Sequence, residues 1–128
     1  EELKVRHVIV CGHYGCGGVQ AAMGHSSYGI LNKWLRHIKD VYRYHKDEIE
    51  SLETEKAQLD RLIELNVVEQ VHNLAKTSII QKAWKKTDLP FLHGWVYDMG
   101  TGIIHPLLEV DPNSRLEDPI YEYDNLDD

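Results

Sequence analysis

The residues best suited to chemistry lie in a glycine-rich segment, Cys11–Gly18, which directly follows the apolar run Val8–Val10. Within this segment, His13 and Cys16 form a His-x-x-Cys pair. An imidazole nitrogen and a thiolate sulfur are ligands that zinc, a borderline-soft metal, accepts in proteins. Because a tetrahedral zinc site needs further ligands, the pair predicts one half of such a site.

The elements around this segment indicate how the pair is positioned. The β-branched residues of Lys4–Cys11 predict a buried strand, the glycines predict a turn, and Val19–Met23 begins a helix. In this α/β arrangement, ligands gather at the carboxyl ends of the strands. Cys11 lies on the strand side, and we expect a small buried hydrophobic residue there. A three-ligand site of Cys11, His13 and Cys16 stays open as an alternative.

The rest of the chain predicts helices followed by a hairpin. Apolar periodicity predicts helices over residues 30–49, 59–74 and 77–86, with Ser51–Thr54 supplying capping oxygens for the second. Residues 91–97 alternate as a strand does, and a turn over 98–102 leads into a returning strand. The prediction is an α/β fold with a mostly parallel sheet, flanking helices and a C-terminal edge hairpin. It comprises a domain over residues 1–108 and an acidic tail over residues 109–128.

Charge and hydropathy exclude several classes of function. The net charge of −7 comes from the tail, which contains eight acidic residues and one basic residue. Residues 1–108 contain equal numbers of acidic and basic residues. With no basic stripe for phosphates, we expect no nucleic-acid binding. The apolar runs are too short to span a membrane, and the sequence begins without a secretory signal, so we expect a cytoplasmic protein with reduced cysteines.

The segment Cys11–Ala22 closely resembles the second zinc motif of the β-class carbonic anhydrases. Three further blocks follow the order and spacing of that family: Gly29–Ile38, Leu65–Leu74 and His93–Asp98. The resemblance covers residues 5 to about 108, and four ordered blocks are far more specific than one His-x-x-Cys pair. It implies a partial β-carbonic anhydrase-like fold.

The resemblance also implies a reaction and a missing part. It implies reversible hydration of carbon dioxide to bicarbonate and a proton by a zinc-bound hydroxide, with His13 and Cys16 as ligands of Zn2+. Members of the family carry the other zinc-ligating cysteine, with an aspartate and an arginine, in an upstream segment that this sequence lacks. We therefore expect the C-terminal portion of a longer protein, with no catalytic residue in this chain. Two alternatives remain: an incomplete fragment acting as an oligomerising or structural zinc-binding module, and a related heterocumulene hydrolase.

Two further residues have expected roles at the site. The backbone of Gly17, at the start of a helix, is expected to bind the substrate, because helix-start amides favour an anion such as bicarbonate. Tyr97 corresponds to a tyrosine that helps bind regulatory bicarbonate in one branch of the family; simple packing is the alternative. The resemblance further implies a homodimer or a higher homo-oligomer.

Overall fold

Five helices lie between the first strand and a C-terminal hairpin, in the order β-α-α-α-α-α-β-β. The computed structural model describes residues 2–114, 116 and 118–126. Its elements are β1 (His7–His13), α1 (Gly17–Met23), α2 (Asn32–Tyr44), α3 (Lys46–Glu50), α4 (Glu55–Ala75), α5 (Ser78–Thr87), β2 (Phe91–Asp98) and β3 (Ile103–Val110), with 3-10 turns at Gly29–Leu31 and Pro119–Tyr121. None of the helices in these ranges is long and apolar enough to cross a bilayer.

The helix boundaries follow local capping. The Thr54 hydroxyl accepts a hydrogen bond from the Ala57 N–H at 3.0 Å and so begins α4, which confirms a capping oxygen within Ser51–Thr54. The helix predicted over residues 30–49 is interrupted, because His45 leaves the helical conformation with φ −109° and ψ 22°. Its first part is therefore α2 and its last part is the separate α3.

The sheet is mixed, with the strand order β1-β2-β3. β1 runs parallel to β2, and β2 runs antiparallel to β3. The predicted α/β class and edge hairpin are confirmed. The sheet was predicted to be mostly parallel, and its described strands form one parallel pair and one antiparallel pair. The hairpin turn closes through Asp98, whose carbonyl accepts from the Gly102 N–H at 2.7 Å.

Helix α4 packs directly on the sheet and joins two apolar clusters. The first cluster consists of buried residues on helices α1, α2, α3 and α4 and on strand β2: Val19, Val41, Ile49, Leu62, Ile63, Leu65, Val67 and Val96. The second lies under the other end of α4 and under α5: Val71, Ala75, Ile80, Trp84, Leu92 and Val110. The backbone of β2 is so closely covered that a Cβ on Gly94 would overlap Leu108 Cδ2 of β3 and would lie 3.1 Å from both Val67 and Val71 of α4.

We expect Gly94→Ala to lower the free energy of unfolding by about 1–3 kcal/mol, because overpacking displaces side chains and backbone. The matched control is Gly17→Ala, where an added Cβ meets no atom within 4 Å. Urea unfolding of both variants measures the difference. Equal stabilities for the two variants would contradict the close packing of α4 and β3 around Gly94.

One face of β1 is exposed, contrary to the prediction of a fully buried strand. Val8 and Val10 pack against the apolar clusters, while exposed residues occupy the other face: His7, Ile9, Cys11 and His13. The prediction that Cys11 is buried was wrong, since alternation along β1 places it on the face away from α4. We call this set of four residues the open face of β1.

Part of the acidic tail packs against the helices. The Gln81 amide donates to the Tyr121 carbonyl at 2.9 Å and accepts from the Tyr123 N–H at 3.0 Å. The ammonium of Lys76 lies 4.1 Å from the centre of the Tyr121 ring. β3 itself extends to Val110, beyond the predicted boundary at residue 108. Four residues of the predicted tail lie outside the described residues: Arg115, Glu117, Asp127 and Asp128.

Candidate metal centre

The two predicted metal ligands flank the turn between β1 and α1. His13 is the last residue of β1, and Cys16 immediately precedes the first residue of α1, Gly17. Between the ligands, Gly15 has φ +74°, a left-handed conformation that favours glycine. The pair therefore lies at the carboxyl end of a parallel strand, as predicted.

A backbone hydrogen bond fixes the orientation of the His13 ring. Its Nδ1 lies 3.0 Å from the carbonyl oxygen of Tyr14. Because a carbonyl oxygen only accepts, Nδ1 carries the proton in this contact. In the neutral ring the free lone pair is then on Nε2, which is the nitrogen available to a metal.

Tyr97 is the neighbour of His13 on the adjacent strand. The two residues are paired in the β1–β2 register, and the Tyr14 N–H donates to the Tyr97 carbonyl at 3.1 Å. The Tyr97 side chain is 37% exposed. The structure therefore brings the residue predicted to bind regulatory bicarbonate to the same edge of the sheet as a predicted metal ligand.

Cys16 and Gly17 occupy the start of α1 in different environments. Cys16 is half-buried and packs against the first apolar cluster. Gly17 has open space beside its Cα, so tight packing does not account for a glycine there. This space leaves the backbone of Gly17 accessible to a small ligand, as the predicted role requires.

Tyr14 and Glu64 are two residues of the site that sequence reasoning missed. The Tyr14 hydroxyl donates to Glu64 Oε2 on α4 at 2.5 Å. Burial, and next the hydrogen bond to Glu64, raise the pKa of the Tyr14 phenol well above its ordinary value, so the phenol stays a donor at neutral pH. The only signal in the sequence was the place of Tyr14 between the two ligands, because Glu64 lies 50 residues away.

The residues present fit two positions of a zinc site. A neutral imidazole with a free Nε2 and a cysteine sulfur match the ligand preferences of zinc. Among the described residues, no group of three or more histidine, cysteine, aspartate or glutamate side chains could hold a metal ion. Within this part of the chain, the predicted pair therefore has no third partner that would complete a metal site, and the three-ligand alternative with Cys11 gains no support.

Taken together, the architecture is that of an α/β protein with a histidine–cysteine pair at the carboxyl end of a parallel strand. The sequence model of the carbonic anhydrase family matches residues 1–104. A carbonic anhydrase of Emericella nidulans is 46% identical over 105 residues, which are 82% of this chain and 46% of that protein. This chain belongs to the carbonic anhydrase family.

Solved structures place it in the β class of the family. A β-carbonic anhydrase of Aspergillus fumigatus superposes with a TM-score of 0.77 at 39% identity, covering 82% of this chain and 50% of that chain. A chain from the crystal structures of two tetrameric β-carbonic anhydrases of Sordaria macrospora superposes with a TM-score of 0.79 at 33% identity. The match covers 84% of this chain and 55% of that chain. The chain thus spans about half the length of the relatives it matches.

Proposed function

We propose that this chain forms part of a zinc-dependent enzyme that reversibly hydrates carbon dioxide to bicarbonate and a proton. The observation that carries the proposal is the pairing of His13 and Cys16 across the β1–α1 turn in a member of the carbonic anhydrase family. His13 Nε2 and Cys16 Sγ would hold the metal. Zinc, when bound, supplies the acidity that makes hydroxide available from water near neutral pH.

The chain's own residues provide orientation and access. The Tyr14 carbonyl holds the proton of His13 on Nδ1 and so leaves Nε2 free to bind a metal. The open space at Gly17 admits a small anion to the amides at the start of α1. Tyr97, beside His13 on the exposed edge, would contact bicarbonate at a regulatory position.

The remaining ligands and the proton-handling groups are proposed to lie in the rest of a longer polypeptide. The described residues supply no third donor to the half-site. We therefore propose turnover for the full-length polypeptide and none for the 128-residue chain alone. We also propose a homo-oligomer, supported by the tetrameric relatives from Sordaria macrospora.

Zinc content and stopped-flow hydration of carbon dioxide test this function. We expect one zinc per subunit and rapid hydration for the full-length polypeptide, and neither for the 128-residue chain. Absence of zinc and hydration from a folded full-length polypeptide would refute the proposed enzyme. Stoichiometric zinc and turnover in the 128-residue chain would refute the proposal that the chain contains only a half-site.

A further inference from the structure

A hydrogen-bonded chain of side chains connects the segment from His13 to Gly17, which we call the metal loop, to helices α4 and α3. Tyr14, in the loop, donates to Glu64 Oε2 at 2.5 Å. Arg61, one turn earlier on α4, donates from Nη1 to the other Glu64 oxygen at 3.1 Å. The same guanidinium donates from Nε to Glu48 Oε1 on α3 at 2.7 Å. Both oxygens of Glu64 are therefore engaged, which restricts the carboxylate to one orientation.

Tyr14 is in turn held at three points. Its hydroxyl contacts Glu64, its backbone N–H donates to the Tyr97 carbonyl, and its own carbonyl accepts from Nδ1 of His13. The third contact decides which nitrogen of His13 is free. The other two contacts restrain the position of the Tyr14 peptide.

We propose that Glu64 is a positioning residue for the metal centre, acting through Tyr14 to set the tautomer and direction of the His13 ring. This inference rests on the proposed role of His13 as a metal ligand. Partners of this kind in the second layer around a metal alter its affinity about 10- to 100-fold when they are removed. The hydrogen bonds of Glu64 go to Tyr14 and Arg61, so in this proposal it acts by fixing the loop between β1 and α1.

The variants separate positioning from a general effect on folding. Tyr14→Phe removes only the hydroxyl and retains the ring, which has an edge contact with His105 at 6.0 Å between centroids. Glu64→Ala removes the acceptor, whereas Glu64→Gln retains an acceptor oxygen for Tyr14. The matched control is Glu69→Ala on the same helix, since Glu69 also bonds a partner, His45, and is 21% exposed against 23% for Glu64.

Nitrogen-15 NMR of the metal-free 128-residue chain, at alkaline pH where imidazoles are neutral, reads the His13 tautomer directly. We expect the proton on Nδ1 in the original chain and in Glu69→Ala, and a mixture of both tautomers in Tyr14→Phe and Glu64→Ala. Glu64→Gln should lie closer to the original chain. The double variant Tyr14→Phe with Glu64→Ala should change the tautomer no more than either single variant, because both remove one hydrogen bond.

Zinc affinity of the full-length polypeptide gives the second readout, with an expected loss of about 10- to 100-fold for Tyr14→Phe. An unchanged His13 tautomer in folded Tyr14→Phe would overturn the positioning role, as would an equal change in Glu69→Ala. If Glu64→Ala fails to fold, Tyr14→Phe and Glu64→Gln still decide the question. A His13→Ala variant that keeps full zinc affinity would refute the metal role of His13 instead, and the NMR result would distinguish that failure.

Discussion

Replacing His13 by alanine in the full-length polypeptide is expected to remove bound zinc and to lower the rate of carbon dioxide hydration at least about a thousandfold. Enzymes accelerate their reactions by about 10⁶-fold or more, and that acceleration would be lost with the metal. The reason is the position of His13, which ends β1 with its Nε2 free because Nδ1 is bonded to the Tyr14 carbonyl. Cys16→Ser should have the same effect, because a serine hydroxyl is a poor substitute for a thiolate ligand of zinc. Metal analysis and stopped-flow hydration measure both quantities.

Cys11→Ser provides the matched control for these variants. Cys11 lies on the open face of β1, and its thiol contacts the Gly12 carbonyl at 3.5 Å. We expect Cys11→Ser to keep both zinc and hydration. If this variant instead lost zinc as completely as Cys16→Ser, Cys11 would have to be a ligand, and the assignment of only His13 and Cys16 would be wrong.

Leu62→Ala is expected to lower the free energy of unfolding of the 128-residue chain by about 2–5 kcal/mol, the range for truncating a buried leucine. Leu62 is 0% exposed and belongs to the apolar cluster that joins α1–α4 to β2. Cys16 and Tyr14 pack against the same cluster. The cavity left by this substitution would therefore weaken the support beneath the metal loop as well as the core.

Denaturant unfolding measures this loss, with Ile79→Ala as the control. Ile79 is 63% exposed on α5, and its truncation should change stability by less than about 0.5 kcal/mol. A Leu62→Ala variant as stable as Ile79→Ala would show that the cluster does not close around Leu62 in solution.

Local patterns allowed much of the fold to be predicted. Apolar periodicity located the helix that became α4, the Ser51–Thr54 segment contained its cap, and alternation over residues 91–97 located β2. The break at His45 was missed because the apolar pattern continues across it. The exposure of Cys11 was missed because β-branched residues occur on strands covered on either one face or two, and only the packing of α4 shows which face is covered.

In the candidate site too, the local features could be predicted from the sequence and the long-range contacts could not. His13, Cys16 and Gly17 are close in sequence, so their types and spacing predicted a metal loop. The contacts that hold this loop are long-range and have no local signal. Glu64 stands on α4 beside the apolar residues Ile63 and Leu65, where its charge alone gives no indication of a partner. Only the folded chain shows that the partner is Tyr14.

The parallel pairing of β1 with β2 has a consequence for the order of folding. His7 and His93 hydrogen-bond across these strands, although 86 residues separate them in sequence. Closing so long a loop carries a large entropic cost, whereas the β2–β3 hairpin closes over a short turn. We therefore expect the hairpin to form before β1 docks, so that Val96→Ala slows refolding more than Val8→Ala relative to the stability each loses. The metal loop at the end of β1 is then assembled in one of the last steps of folding, after the core that supports it.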